Sequence, residues 1–232
     1  MYFLFFDLET TGLLPRGIKI FDLLKKEHFP YIVQISWQLQ KYDAATQTYT
    51  LLSEQDYIIK PTADYVVSPE SSKIHGISHE QAATRGVPVE MVLRHFLADW
   101  FHGPTPTHLV CHNVEFDVPI LLHHIIAQEL FKEPCVQQHT QDITCICTML
   151  DTVTLCKKPF KSGGSGFKYP SLLELFECLF KQPPQGQLHN SRFDVECTVA
   201  CFKELYSRHG ERLRVRTIVL GENTFETIMS LI

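Results

Sequence analysis

Four acids and one histidine stand out by type and place in a chain of 232 residues. Asp7 and Glu9 are two apart at the end of an apolar run, so on an extended chain they point the same way and can share one cation. Asp117 and Asp194 each stand in the first turn of an apolar helical pattern, and His189 precedes the second of these by five positions. Singly, each acid has a plain explanation as a strand-end or helix-start carboxylate. Together they imply a site. Like charges about 4 Å apart repel by roughly 4 kcal/mol at an effective dielectric of 20, so four converging carboxylates call for cations. Two divalent ions would balance four carboxylates, and hard oxygen ligands favour Mg²⁺ or Mn²⁺ over zinc. Two such ions suit phosphodiester hydrolysis, and a histidine, whose ordinary titration lies near pH 6.5, can accept the proton of the attacking water.

Elements must hold these groups in place. Residues 2–6 form an aromatic-rich apolar run, the pattern of a strand covered on both faces, and it stops at Asp7. Ligands gather at such strand ends in open α/β sheets. Val33, Ile35, Trp37 and Leu39 alternate with Gln34, Ser36, Gln38 and Gln40, which predicts a half-solvated antiparallel strand, with a turn over 43–48 and a return strand over 49–60. Ser68-Pro69-Glu70 opens a helix that ends at Ile74-His75-Gly76. A further helix is predicted over 88–101. Leu109-Val110-Cys111 reads as a buried strand, followed by an amphipathic helix carrying Val118, Leu121, Leu122, Ile125 and Ile126. Ser171 caps a short helix, and the last long helix carries Val195, Val199, Phe202 and Tyr206 on one stripe.

Composition narrows the class. Hydrophobic residues make up 44% and charged residues 20%, which excludes a disordered or collagen-like chain. The net charge of −5 gives no bulk attraction to polyanions, so a nucleic-acid ligand would need metal ions or a local basic strip. No segment reaches the length of a membrane span, no leader is evident, and the expected location is intracellular and cytoplasmic, with nucleus or nucleoid left open. The eight cysteines form no C-x2-C pair and read as reduced thiols, a zinc cluster of His139, Cys145, Cys147 and Cys156 being the lesser alternative. His123 and His124 read as surface or core packing residues, a metal-ligand pair being the lesser alternative. Residues 157–168 hold four lysines and no acid; they read as a solvated loop, with a phosphate-contacting strip as the alternative.

The three segments resemble a known family. Phe6-Asp7-Leu8-Glu9-Thr10-Thr11-Gly12-Leu13, His112-Asn113-x-x-Phe116-Asp117 and His189-x4-Asp194 are similar to the three motifs of the DnaQ-like, DEDDh 3′→5′ exonucleases, and Ile74-His75-Gly76-Ile77-Ser78 to that family's HGI segment. The resemblance covers roughly residues 1–208. It implies an RNase H-like α/β fold, a central mixed five-stranded sheet flanked by helices in the order 3-2-1-4-5. It divides the chain into an exonuclease domain over 1–209 and an extension over 210–232, whose plain reading is a docked terminal element and whose alternative is a partner-binding tail.

Asp7, Glu9, Asp117 and Asp194 would hold two Mg²⁺ or Mn²⁺ ions, with His189 as general base and nucleoside 5′-monophosphates as products. By the same resemblance Thr10, Gly12 and Leu13 would contact the terminal nucleotide, Glu70 its 3′-hydroxyl, and His75 and Phe116 its base. The implied partner is a single-stranded 3′ end, of DNA or RNA, with a DNA polymerase or repair protein as a possible companion and no membrane. Proofreading, repair and RNA processing stay open. The second reading is a catalytically silent module of the same fold that binds nucleic acid or a polymerase. Two departures from the family pattern are Ser191, where a small apolar residue is usual, and the long connection over residues 14–30.

Overall fold

A computed structural model of the chain describes residues 1–15, 29–102, 107–137, 143–161, 163, 165–186, 188–209 and 213–218. A mixed sheet of six strands runs through it in the order β3-β2-β1-β4-β5-β6. These are β1 (Tyr2–Thr10), β2 (Ile32–Asp43), β3 (Thr48–Ile58), β4 (Thr107–Cys111), β5 (Ile143–Cys147) and β6 (Val215–Ile218). The central strand β1 pairs antiparallel with β2 and parallel with β4, and β4 pairs parallel with β5. The order expected for five strands holds, and the count is corrected to six. Residues 215–218, within the stretch assigned to an extension, pair antiparallel with β5 and lengthen the sheet.

Helices cover both faces. The parity of β1 sorts its side chains: Leu4, Phe6 and Leu8 enter one core with α3 (Val89–Trp100) and α4 (Val114–Ala127), while Phe3 and Phe5 enter another with α8 (Leu172–Phe180) and α9 (Ser191–His209). Asp7 and Glu9 share the parity of Phe3 and Phe5 and therefore belong to the α9 face. The strand does not stop at Asp7, because backbone pairing with β2 continues to Thr10.

Two expectations about exposure are corrected. The polar residues of β2 are not solvated: Gln34, Ser36, Gln38 and Gln40 are all buried. Asp7 lies opposite Ser36 and Glu9 opposite Gln34, so this polar row is on the α9 face and α9 covers it. The helix α4 is not amphipathic in effect; ten of its fourteen residues are buried, His123 and His124 among them. His123 stacks on Phe29 at 4.3 Å, and His124 Nε2–H donates to the Pro30 carbonyl at 3.2 Å. Both therefore serve packing.

Local signals account for the shorter elements. Ser68 caps α1 (Pro69–His75), which ends at Gly76 with φ of 77°. Ser78 caps α2 (His79–Arg85), a helix with no apolar stripe to betray it in sequence. A 3-10 turn (Leu130–Lys132), α5 (Pro134–Gln137), α6 (Thr148–Asp151) and α7 (Val153–Cys156) complete the described elements. Ser171 and Glu174 form a reciprocal capping box at the start of α8. Seven cysteines are free thiols among the described residues. Cys145, Cys147 and Cys156 form no metal-holding group there, and His139 lies outside the described residues. No described helix is long and apolar enough to cross a membrane.

Candidate active site

The parallel strands β1 and β4 place their carboxyl ends at one edge of the molecule, and three segments deliver acids there. Asp7 and Glu9 come from β1, and Asp117 comes from the first turn of α4, which begins directly after β4. Leu8 N–H donates to the Asp117 carboxylate, tying the helix start to the strand. Asp194 sits in the first turn of α9. Each acid feels the others. Burial, first, and then the charges of Asp117, Asp194 and Glu9 push Asp7 well above the usual carboxylate range. Burial and the Glu9 charge do the same to Asp117. Glu9 is raised to about 7 by burial and Asp194, and burial raises Asp194 to about 6.

His189 joins this cluster. Its ring nitrogen and carboxylate oxygens of Glu9 and Asp194 all lie within 4.8 Å of one another. The residue has a left-handed backbone, φ 62°, and its N–H donates to Asp194 Oδ2 at 3.0 Å. Helix α9 therefore fixes both the acid and the loop that carries the histidine. Gly186 makes room for this closure, since a β-carbon there would meet the Phe193 ring at 2.3 Å. Glu9 and Asp194 are buried while His189 is exposed, which leaves the imidazole open to solvent.

Asp194 Oδ1 is buried with no hydrogen-bond partner. A buried, unpaired carboxylate oxygen amid three other carboxylates is a hard donor, and the cluster fits divalent cations with oxygen preference. Asn113 Oδ1, at the N-cap of α4, is likewise buried and unpartnered. Sequence analysis quoted Asn113 within its motif and gave it no role; its only signal was its place just before a helix.

The six residues expected to touch substrate are held in different states. Thr10 Oγ1 donates to the Gly12 carbonyl at 2.7 Å, and space is open beside the Gly12 α-carbon. Leu13 is 86% exposed, and Glu70 projects from the first turn of α1. Phe116 is half-buried against the larger core. His75 is buried at the end of α1; its Nδ1 accepts from Ile77 N–H at 3.1 Å, which leaves Nε2 carrying the proton without a partner. Burial lowers its pKa.

Sequence reasoning passed over the polar ring beneath α9. Ser36 Oγ–H donates to Asp56 Oδ1 at 2.8 Å, so in its 2.6 Å contact with Ser191 Oγ it accepts. Gln34 Nε2 donates to the same Asp56 oxygen, and Ser191 N–H donates to Gln34 Oε1 at 3.3 Å. Ser191, fully buried, is thus matched to serine and glutamine on β2 rather than to an apolar neighbour. Its departure from the family pattern has a partner.

A mixed sheet with acids at the carboxyl ends of its central strands and a helix closing over them defines the nuclease branch of the RNase H-like α/β proteins. The exonuclease family RNase_T matches residues 4–202, and the chain belongs to that family. No curated protein matches the sequence. Exonuclease I of E. coli, solved in complex with a dT13 oligonucleotide, is similar in fold, with a TM-score of 0.61 and 18% identity over 90% of this chain and 42% of that one. The zinc ion bound form of the E. coli enzyme in its single-stranded DNA complex matches at 0.59 and 18%, over 90% and 41%. Cell-death related nuclease 4 matches at 0.63 and 12%, over 93% of this chain and 66% of that one. The chain thus spans about two fifths of the length of the exonuclease I structures it matches.

Proposed function

We propose that the protein is a metal-dependent 3′→5′ exonuclease that removes nucleoside 5′-monophosphates one at a time from single-stranded 3′ ends. The observation that carries this reading is the convergence of Asp7, Glu9, Asp117 and Asp194 from three segments, with His189 beside two of them. Family membership supports a nuclease, and the exonuclease I structures, bound to single-stranded oligonucleotides, support the substrate class.

In this reading the four carboxylates hold two divalent ions, Mg²⁺ or Mn²⁺. Bound there, such ions would supply Lewis-acid polarisation of the scissile phosphate and charge stabilisation at the leaving oxygen. The remaining work falls to the chain. His189, open to solvent, takes a proton from the water that attacks the terminal phosphorus. The new P–O bond forms as the bond to the 3′-oxygen of the preceding nucleotide breaks; that oxygen takes a proton from solvent, and His189 returns its own to solvent. Asp194 orients the histidine loop through its bond from His189 N–H. Thr10, Gly12 and Leu13 line the approach, Glu70 receives the terminal 3′-hydroxyl, and Phe116 and His75 flank the base; stacking on apolar surface tolerates any base.

The test uses labelled DNA and RNA single strands blocked at the 5′ or the 3′ end, with and without EDTA. Digestion should stop with a blocked 3′ end and with EDTA. Asp7→Asn or Asp194→Asn should reduce turnover by more than about a hundred-fold with folding retained. His189→Ala should cost about 10²–10⁴-fold while metal binding persists. Normal activity in either Asp variant would sink the assignment. Digestion by none of these routes, with strands still bound, would instead favour the silent module.

A further inference from the structure

The basic segment expected to be a solvated loop is a closed hairpin. Lys168 N–H donates to the Lys158 carbonyl at 2.9 Å, and Pro159 forms an antiparallel bridge with Phe167. Gly163 N–H returns to the Phe160 carbonyl at 3.1 Å, and Gly163 and Gly166 take φ of 74° and 91°. The foot of the hairpin is fixed in two places. Lys168 Nζ meets Glu174 Oε2 at 2.6 Å, the same oxygen that accepts Ser171 N–H in the capping box of α8. The Pro170 carbonyl accepts from His112 Nε2–H at 3.0 Å. Burial pushes His112 down to about 4, so its ring is neutral and Nδ1 is free to accept from Thr148. His112 is the first residue after β4. The hairpin therefore stands at the carboxyl edge of the sheet, the edge that carries the acids.

What this anchoring displays is unusual for the molecule. Phe160 and Phe167 are 42% exposed and Tyr169 is 57% exposed, three rings along one short hairpin. Lys157, Lys158 and Lys161 stand among them; Lys158 also lies in the field of Glu174, and none of the three is within salt-bridge distance of a described acid, in a chain of net charge −5. Rings left in water forfeit burial, and neighbouring cations repel one another, so the exposed rings and the crowding of lysines contribute little to folding. Single-stranded nucleic acid satisfies both at once: bases stack on exposed rings, and phosphates sit beside the lysines.

We propose that the hairpin over residues 157–169 is a second nucleic-acid-binding surface, which holds the upstream part of a strand whose 3′ end occupies the acidic site. This rests on the exonuclease reading, and it explains how an acidic protein keeps a polyanion in place beyond the reach of its metal ligands.

The test compares the full chain with two variants, Phe160→Ala/Phe167→Ala/Tyr169→Ala and Lys157→Ala/Lys158→Ala/Lys161→Ala, each checked for an unchanged thermal melt. Two substrates separate the surfaces. The p-nitrophenyl ester of thymidine 5′-monophosphate meets only the acidic site, whereas an oligothymidylate of about twelve nucleotides also reaches the hairpin. Each variant should raise KM for the oligonucleotide about ten-fold or more and leave kcat/KM for the ester within about two-fold. Binding of the same oligonucleotide in EDTA, followed by anisotropy, should weaken in parallel. Loss of three phosphate contacts should lower the slope of log affinity against log salt by about 2 in the lysine variant. Unchanged oligonucleotide KM and affinity in both variants would overturn the proposal, as would equal losses on both substrates. Wild-type protein that cleaves neither substrate counts against the exonuclease reading alone, since anisotropy still reports whether the hairpin binds.

Discussion

Glu9 shows at the level of one residue how clustered, buried carboxylates strain this fold. Its carboxyl is raised to about 7 from an ordinary 4.5, because burial and Asp194 both oppose its charge. The folded protein therefore binds this proton more tightly than the unfolded chain does, and stability falls as pH rises through that window. A shift of this size corresponds to roughly 3 kcal/mol once Glu9 is fully ionised. In EDTA, Glu9→Gln should accordingly be more stable than the natural protein by about that amount at pH 8, with the difference vanishing below about pH 4.5. Saturating Mg²⁺ or Mn²⁺ should reverse the order, because the cation stabilises only the carboxylate form. Thermal melts across pH with and without metal decide this. A Gln variant no more stable than wild type in EDTA at high pH would mean that Glu9 does not share the field of Asp194.

At the scale of elements, the joint between β2 and α9 governs where His189 and Asp194 stand. The ring of Gln34, Ser36, Asp56 and Ser191 closes on itself, and each of its four hydrogen bonds has a fixed direction because Asp56 can only accept when ionised. Removing the Ser191 hydroxyl leaves Ser36 Oγ without its donor, so Ser191→Ala should cost about 1 kcal/mol, and Ser36→Ala somewhat more. A double-mutant cycle on the pair should show a coupling of about 0.5 kcal/mol or above. Additive losses would show that the two serines touch without acting as a unit.

The same joint shows what the sequence could and could not reveal. Alternation along β2 was legible, but Gln34, Ser36, Gln38 and Gln40 looked solvent-facing because periodicity records polarity and not what covers a face. His123 and His124 of α4 were legible as packing residues, although the Phe29–Pro30 segment that covers them is remote in sequence. Asp7, Glu9, Asp117 and Asp194 were legible because strand ends and helix starts carry local signals. Their meeting was legible only through the joint pattern and the family resemblance, since no local signal records the parallel pairing of β1 with β4 or the closure of α9.

For the whole molecule, the sheet sets an acidic edge against a stabilising flank. The acids and the basic hairpin occupy the carboxyl edge, while β6 closes the far side, with β4 and β5 standing between it and β1. Four residues offered little to read in sequence, since Arg216 and Thr217 separate the two apolar positions of so short a strand. What secures β6 is an ion pair: Arg216 Nη2 meets Asp151 Oδ1 at 2.6 Å, and Arg214 N–H donates to Asp151 Oδ2 at 3.2 Å. The Asp151 side chain is only 4% accessible, so Arg216→Ala strands a buried carboxylate on a single backbone donor. The expected cost is about 3 kcal/mol, or roughly 6–12 °C in Tm for a domain of this size. Hydrolysis of short substrates below the new Tm should stay within about two-fold of wild type, because among the described residues Arg216 forms its ion pair with Asp151 and with none of the four clustered acids. An unchanged Tm would show that β6 is not part of the cooperative sheet, whereas a matched loss of Tm and turnover would show that the flank and the acidic edge are mechanically one.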